Sequence, residues 1–210
     1  MAPSSAARKP SGSRSPGPTR ARLLAAARQA FGELGFAATR VDDIVERAGT
    51  SHGTFYRYFE DKKDALVGLT QDVARSLYGT AVAPALDTSL GLRGVVRARL
   101  AAFISAYTEH WEVIHTWRQA EGVHAEVEEV RARIRRAISS AVAEMLERDR
   151  EKELIESGVD TEIAATAFVV MAEGFADDWL YAGRAFSEAD VDQITDLWMR
   201  GTYRREALVP

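Results

Sequence analysis

The chain has 210 residues, 46% of them hydrophobic, and its 27 Lys and Arg against 31 Asp and Glu leave a net charge of −4. That length suits one mid-sized domain or a small head on a larger body, with enough apolar residues for a true core. The absence of cysteine excludes disulfides, thiolate metal sites and a cysteine nucleophile.

No apolar run approaches the roughly 18–20 residues of a membrane span. The N-terminus has no apolar h-region of a secretory signal. A cytoplasmic protein with no membrane partner is expected. The charge is uneven: residues 1–63 carry +5 and residues 64–210 carry −9. A basic head on an acidic body points to a polyanion at one end.

Residues 1–18 hold Pro3, Pro10, Pro16 and Pro18 among Ser and Gly. Such a segment buries too little apolar area to offset its ordering entropy, so a flexible basic arm is predicted. From Thr19, an expected N-cap, Leu23, Leu24, Ala27, Phe31 and Leu34 recur at helical spacing up to Gly35. Thr39 is expected to cap a short second helix with Val41, Ile44, Val45 and Ala48 on its apolar face and Asp42 and Asp43 in its first turn. Gly49 ends it. Thr50 or Ser51 caps a third helix to about Phe59, and Asp61 a fourth to about Tyr78.

Pro84 and Gly91 mark a loop. Helices are then predicted over about 92–108, 109–119, 125–150, 161–182 (capped by Asp160) and 188–203 (capped by Ser187), with Gly122 as a break. No stretch alternates with a period of two. The predicted fold is all-α with roughly nine helices.

Two short helices around Gly49 fit a helix-turn-helix. In such a unit Ser51 caps the second helix without bulk, and Gly53 allows close approach to base edges. Phe55 and Phe59, four apart, anchor the helix in the core. Tyr56, Arg57 and Tyr58 offer hydroxyls and a guanidinium toward phosphates, although Tyr58 also suits packing.

These residues carry a resemblance. Ala30-Phe31, Gly35-Phe36, Thr39-Arg40-Val41, Ile44, Ala48-Gly49, Ser51-x-Gly53-Thr54-Phe55-Tyr56-x-Tyr58-Phe59 and Lys62 occur in order between Thr19 and Leu66. The stretch resembles the DNA-binding region of the TetR family of transcriptional regulators. Thr50 stands where the family usually has an apolar residue, and Phe55 where it often has Leu.

The resemblance implies a three-helix DNA-binding head over 19–64 and a helical bundle over 65–210 for ligand binding and dimerisation. It implies that His52, Gly53 and Tyr56 lie near base edges, and that Thr39, Thr54, Arg57, Tyr58 and Lys62 lie near phosphates, with Ser51 capping the reading helix. The implied protein is a homodimeric regulator of double-stranded DNA. It represses at a palindromic operator and is released by a small lipophilic or aromatic effector. No catalytic residue, metal or cofactor is implied.

The body supports this less sharply. The helix from Thr161 is apolar on nearly all faces, as a helix buried on two sides should be. Phe168, Ala172, Ile194, Leu197 and Trp198 are dimer-interface candidates, with burial inside one subunit as the alternative. Phe103, Tyr107, Trp111, Ile114, His115, Trp117, Met171, Phe175 and Trp179 are pocket candidates, with Gln119 and Glu173 as further polar groups. Phe103, Tyr107, Trp111 and Ile114 share a stripe if the helix is continuous there, and such a stripe also suits plain core.

Two other classes stay in view. Glu112-x-x-His115 and Glu121-x-x-His124 have the spacing of a metal-carboxylate bundle enzyme. Such sites need the two pairs on facing helices plus further glutamates, and Gly122 interrupts the second pair. A helical dimer acting only as a protein-interaction module is the other; the intact Gly53, Tyr56 and Lys62 argue against it. The charged run around Glu128, Glu129, Arg131, Arg133, Arg135 and Arg136 reads as a solvated helix face with pairs such as Glu129–Arg133.

Overall fold

The computed structural model describes residues 17–82, 90–120 and 125–208. Nearly all of the basic arm, with Glu121, Gly122 and His124, lies outside the described residues. The helices among them are α1 (Pro18–Leu34), α2 (Val41–Arg47), α3 (His52–Tyr56), α4 (Lys62–Val82), α5 (Gly91–Glu109), α6 (Trp111–Ala120), α7 (Ala125–Glu151), α8 (Thr161–Tyr181) and α9 (Glu188–Thr202). A single antiparallel bridge, Ile155 to Tyr203, is the extended pairing described. The protein is all-α.

Helix ends follow side-chain chemistry. Asp160 accepts from the Ile163 N–H at 3.0 Å, and Asp61 from that of Asp64 at 2.9 Å. Ser187 and Asp190 form a reciprocal capping box. Two expected caps are corrected. α1 starts at Pro18, whose missing N–H costs nothing in a first turn, so Thr19 lies inside the helix. At α2 the N-cap is Arg40, whose N–H donates to Asp43 at 2.7 Å.

The head core is built from Leu23, Ala27 and Phe31 of α1, Ile44 of α2, and Phe55, Phe59 and Leu66, all buried. It is continuous with the body core, because α4 runs from one into the other. The boundary expected after residue 64 falls in the first turn of α4. A Cβ on Gly68 would lie 3.0 Å from the Arg20 guanidinium and 3.2 Å from Leu24, so a small residue there lets α1 approach α4.

A second link joins α1 to the body. Arg28 donates to the Glu109 carbonyl and lies 3.5 Å from the Glu112 carboxylate, at the corner between α5 and α6. Across the body, Arg93 pairs with Asp192 and Asp196, and Arg97 with Asp192 and Glu188, tying α5 to α9.

Candidate nucleic-acid interface and ligand cavity

Gly49 takes a φ of 58°, the left-handed region that glycine enters without penalty. This turns the chain sharply between α2 and α3. Ser51 accepts from the Thr54 N–H at 3.3 Å and starts α3. The helix is shorter than expected. It ends at Tyr56, and the N–H groups of Tyr58 and Phe59 both close onto the Phe55 carbonyl, at 2.9 and 3.0 Å.

Phe55 and Phe59 are buried against each other with ring centres 5.5 Å apart. That fixes the orientation of the segment. His52, Gly53, Tyr56 and Arg57 are exposed, and Thr54 is half-buried. Tyr56 leaves 57% of its surface open while its ring edge rests on Phe55. A Cβ at Gly53 would meet nothing closer than Ser51 Oγ at 3.9 Å, so the fold itself does not demand glycine there.

Three residues expected at phosphates also have structural work. Thr39 is 1% exposed, and its hydroxyl lies between the carbonyls of Gly35 (2.7 Å) and Ala30 (3.1 Å). Lys62 donates to the carbonyls of Phe36 (2.8 Å), Ala37 (3.0 Å) and Thr39 (2.7 Å), and its ammonium lies 4.9 Å from the Phe36 ring centre. An ammonium has three N–H donors, and all three are committed. Tyr58 is half-buried against the core beneath the Arg57 guanidinium.

One partner was missed. His52 Nε2 pairs with the carboxylate of Asp42, across from α3 to α2. From sequence, Asp42 had only a helix-dipole role. The ten-residue separation across a turn gives no periodic signal for the pair.

In the body, the α5–α6 corner at His110 breaks the aromatic stripe, since backbone φ and ψ there are −100° and 10°. Tyr107 and Trp117 come together on a cavity of about 190 Å³ with Leu77, Arg131, Ile134, Arg135, Val170, Glu173, Gly174 and Asp177. The other expected pocket residues go elsewhere. Phe103 lines a separate apolar space of about 40 Å³. Ile114 is core, Met171 packs against the core, and Trp111 stacks on His115 with ring centres 5.5 Å apart. Phe175 and Trp179 border an outer groove beside α9.

Arg131 and Arg135 point to this cavity rather than into a solvated face. Arg135 pairs with Glu173 at 2.7 Å and Arg131 with Glu128 at 2.8 Å. Tyr107 donates to Asp177 at 3.4 Å. Burial pushes the Glu173 carboxyl above its ordinary range, opposed by Arg135. Burial, helped by Asp177, raises the Tyr107 hydroxyl. Trp117 is 5% exposed, and its Nε1–H is buried with no acceptor. The sequence signal was present: 131/135 and 173/177 are each one helical turn apart on neighbouring helices.

Residues 23–68 match the family model for bacterial regulatory proteins of the tetR family. An HTH-type transcriptional repressor of Mycobacterium tuberculosis is 38% identical over 84 residues, which is 38% of this chain and 44% of that protein. The HTH-type transcriptional activator FasR of Mycolicibacterium smegmatis is 33% identical over 91 residues, 43% of this chain and 41% of that one. The matches thus span less than half the length of these curated relatives. In fold, the chain is similar to Salmonella enterica GusR, with a TM-score of 0.75 and 22% identity over 89% of this chain and 96% of that one.

Residues 23–68 thus carry the N-terminal region of the tetR family. In the body the expected interface residues divide. Ala172, Ile194 and Trp198 are buried within the protomer. Phe168 stacks on Trp198 with ring centres 4.2 Å apart, and Trp198 Nε1 donates to the Ala164 carbonyl at 3.4 Å. Only Leu197, 61% exposed, faces outward. The large apolar residues left open on α8 are instead Ile163, Val170, Phe175 and Tyr181. The helix period was legible, but not which side of an all-apolar helix faces its own core.

Glu112 lies 3.5 Å from the Arg28 guanidinium, and His115 packs against the Trp111 and Tyr181 rings. Among the described residues no three His, Asp or Glu side chains are grouped to hold a metal ion. No described helix is long and apolar enough to cross a membrane.

Proposed function

We propose that this chain is a homodimeric transcriptional repressor of the tetR family. It reads a palindromic operator in double-stranded DNA through the segment 51–59 and leaves it when a small molecule fills the Tyr107–Trp117 cavity. Residues 19–64 form the DNA-binding unit, and 65–210 the ligand-binding and dimerisation unit. The observation that carries the reading is the division of the 51–59 segment. Phe55 and Phe59 are buried, whereas His52, Gly53 and Tyr56 stand open on the outside. A helix held this way presents side chains to a major groove.

Dimerisation is supported by the exposed apolar residues of α8 and α9, among them Ile163, Val170, Tyr181 and Leu197. Large apolar residues left open along one helix are what an interaction surface would cover. Two-fold symmetry matches an inverted repeat with half-sites roughly 34–36 Å apart. Val170 and Gly174 belong both to the cavity wall and to the exposed side of α8, so the cavity mouth adjoins the dimer face. A ligand acts by preferring the conformation whose reading helices are mis-spaced for DNA. α4 and the Arg28 contact at the α5–α6 corner are the routes from body to head.

The test is selection from a pool of random duplexes at moderate salt. The full chain should enrich an inverted repeat; enrichment of none contradicts the reading.

A further inference from the structure

The cavity between α5, α6, α7 and α8 has a chemical bias, and its ligand chemistry rests on the proposed reading of it as the effector site. α7 supplies Arg131 and Arg135, and α8 supplies Glu173 and Asp177, so the formal charges on the wall cancel. Most of these groups meet a partner of their own: Glu173 has Arg135, Asp177 has the Tyr107 hydroxyl, and Arg131 has Glu128 outside. The exception is a donor. The Trp117 N–H is buried without an acceptor, which costs folding free energy that a bound acceptor would return.

The sign of that acceptor follows from its neighbour. The Arg131 guanidinium lies 5.7 Å from the Trp117 ring centre, so an atom meeting the indole N–H enters the field of a cation. A charged acceptor makes the stronger hydrogen bond there. A cationic ligand has no acceptor for the indole N–H and would set its charge beside Arg131. The size is bounded as well. About 190 Å³ is below the roughly 300–1,000 Å³ of drug-sized sites, which favours a small molecule. Leu77, Ile134 and Val170 make the remaining wall apolar, and a Cβ at Gly174 would meet nothing within 4 Å.

We infer that the cavity takes a small aryl carboxylate, its ring against Tyr107 and Trp117 and its carboxylate accepting from the Trp117 N–H beside Arg131. Glu173 adapts to the incoming charge. Its burial already favours the neutral form, so it yields Arg135 to a competing anion by taking up a proton.

The experiment is calorimetric titration of the full chain with 2-naphthoate, 2-naphthylmethanol and 2-naphthylmethylamine. The carboxylate should bind saturably and at least tenfold more tightly than the amine, with the alcohol between them. Trp117→Phe keeps the ring and removes the donor, and should weaken 2-naphthoate about fivefold to tenfold while leaving the alcohol less affected. Arg131→Gln, at a partly exposed position, should weaken the carboxylate by a similar factor and guards against a folding defect at Trp117.

Absence of saturable 2-naphthoate binding overturns the inference. So does an amine that binds as tightly, or unchanged carboxylate binding in both variants. If the random pool yields an inverted repeat and the titrations fail, this inference alone falls. If no repeat is enriched, the regulator reading falls and the titrations still decide the ligand chemistry.

Discussion

The ammonium of Lys62 donates to the carbonyl of Thr39 at 2.7 Å, and the Thr39 side chain is itself tied to Gly35 and Ala30. The two residues form one fastening between the start of α4 and the turn before α2. Lys62→Met keeps the aliphatic stem and removes the donors. It should destabilise the protein by about 1–2 kcal/mol in chemical denaturation, the scale of a lost charged hydrogen bond at a half-buried site. The slope of log affinity against log salt on DNA should not change. A lost phosphate contact would instead reduce that slope by about one.

Gly53 has room for a methyl group, and glycine inside a helix costs about 0.5–1 kcal/mol relative to alanine. Gly53→Ala should therefore raise the unfolding midpoint slightly. It should also weaken DNA binding by about tenfold if a groove wall comes as near as the reading requires. A variant that is stabilised and binds DNA normally would show that nothing approaches this face closely.

His52 and Asp42 are coupled on the same exposed face. Removing the imidazole leaves the Asp42 carboxylate facing a polyanion. His52→Ala should therefore lose DNA affinity for all sequences, and Asp42→Asn in the same chain should recover part of the loss. Fluorescence anisotropy of the two single variants and the double variant gives the coupling. Additive losses would mean that His52 does not mask Asp42.

His110 gives a pH dependence. Burial, and then the nearby Arg28 cation, lower its pKa below the ordinary 6.5, against opposing contributions from Glu109 and Asp72. The Nδ1 atom is buried without a partner. A depressed pKa means that the unfolded chain binds the proton more readily. The contribution of His110 to stability is thus complete above about pH 6.5 and is lost as pH falls through the folded-state value. Thermal melts from pH 7.5 to 5.5 should show the decline, and His110→Gln should flatten it. An unchanged slope in the variant would assign the decline to other groups.

Much of this was legible in the residues. Helical spacing and capping side chains located the helices, because Asp61, Asp160, Ser51 and Ser187 act on N–H groups only three residues away. Ser51, Phe55 and Phe59 took the roles their spacing implied. The contacts of Lys62 with three carbonyls and of Asp42 with His52 were not legible, since these partners lie 23 to 26 and 10 residues distant and no local period reports them. The pocket was half legible. Tyr107 and Trp117 were identified from aromatic clustering, but the corner at His110 parted them from Trp111 and Ile114. On α8 an apolar surface all round hid which residues face solvent; exposure separates Ile163 and Val170 from Ala172.

The most direct test of the central claim is to repeat the selection with His52→Ala and Tyr56→Ala and compare the enriched sequences. The account predicts that the native chain enriches an inverted repeat, and that at least one variant changes base preference at the same position in both half-sites. Identical preferences in all three proteins, or no repeat from the native chain, would contradict it.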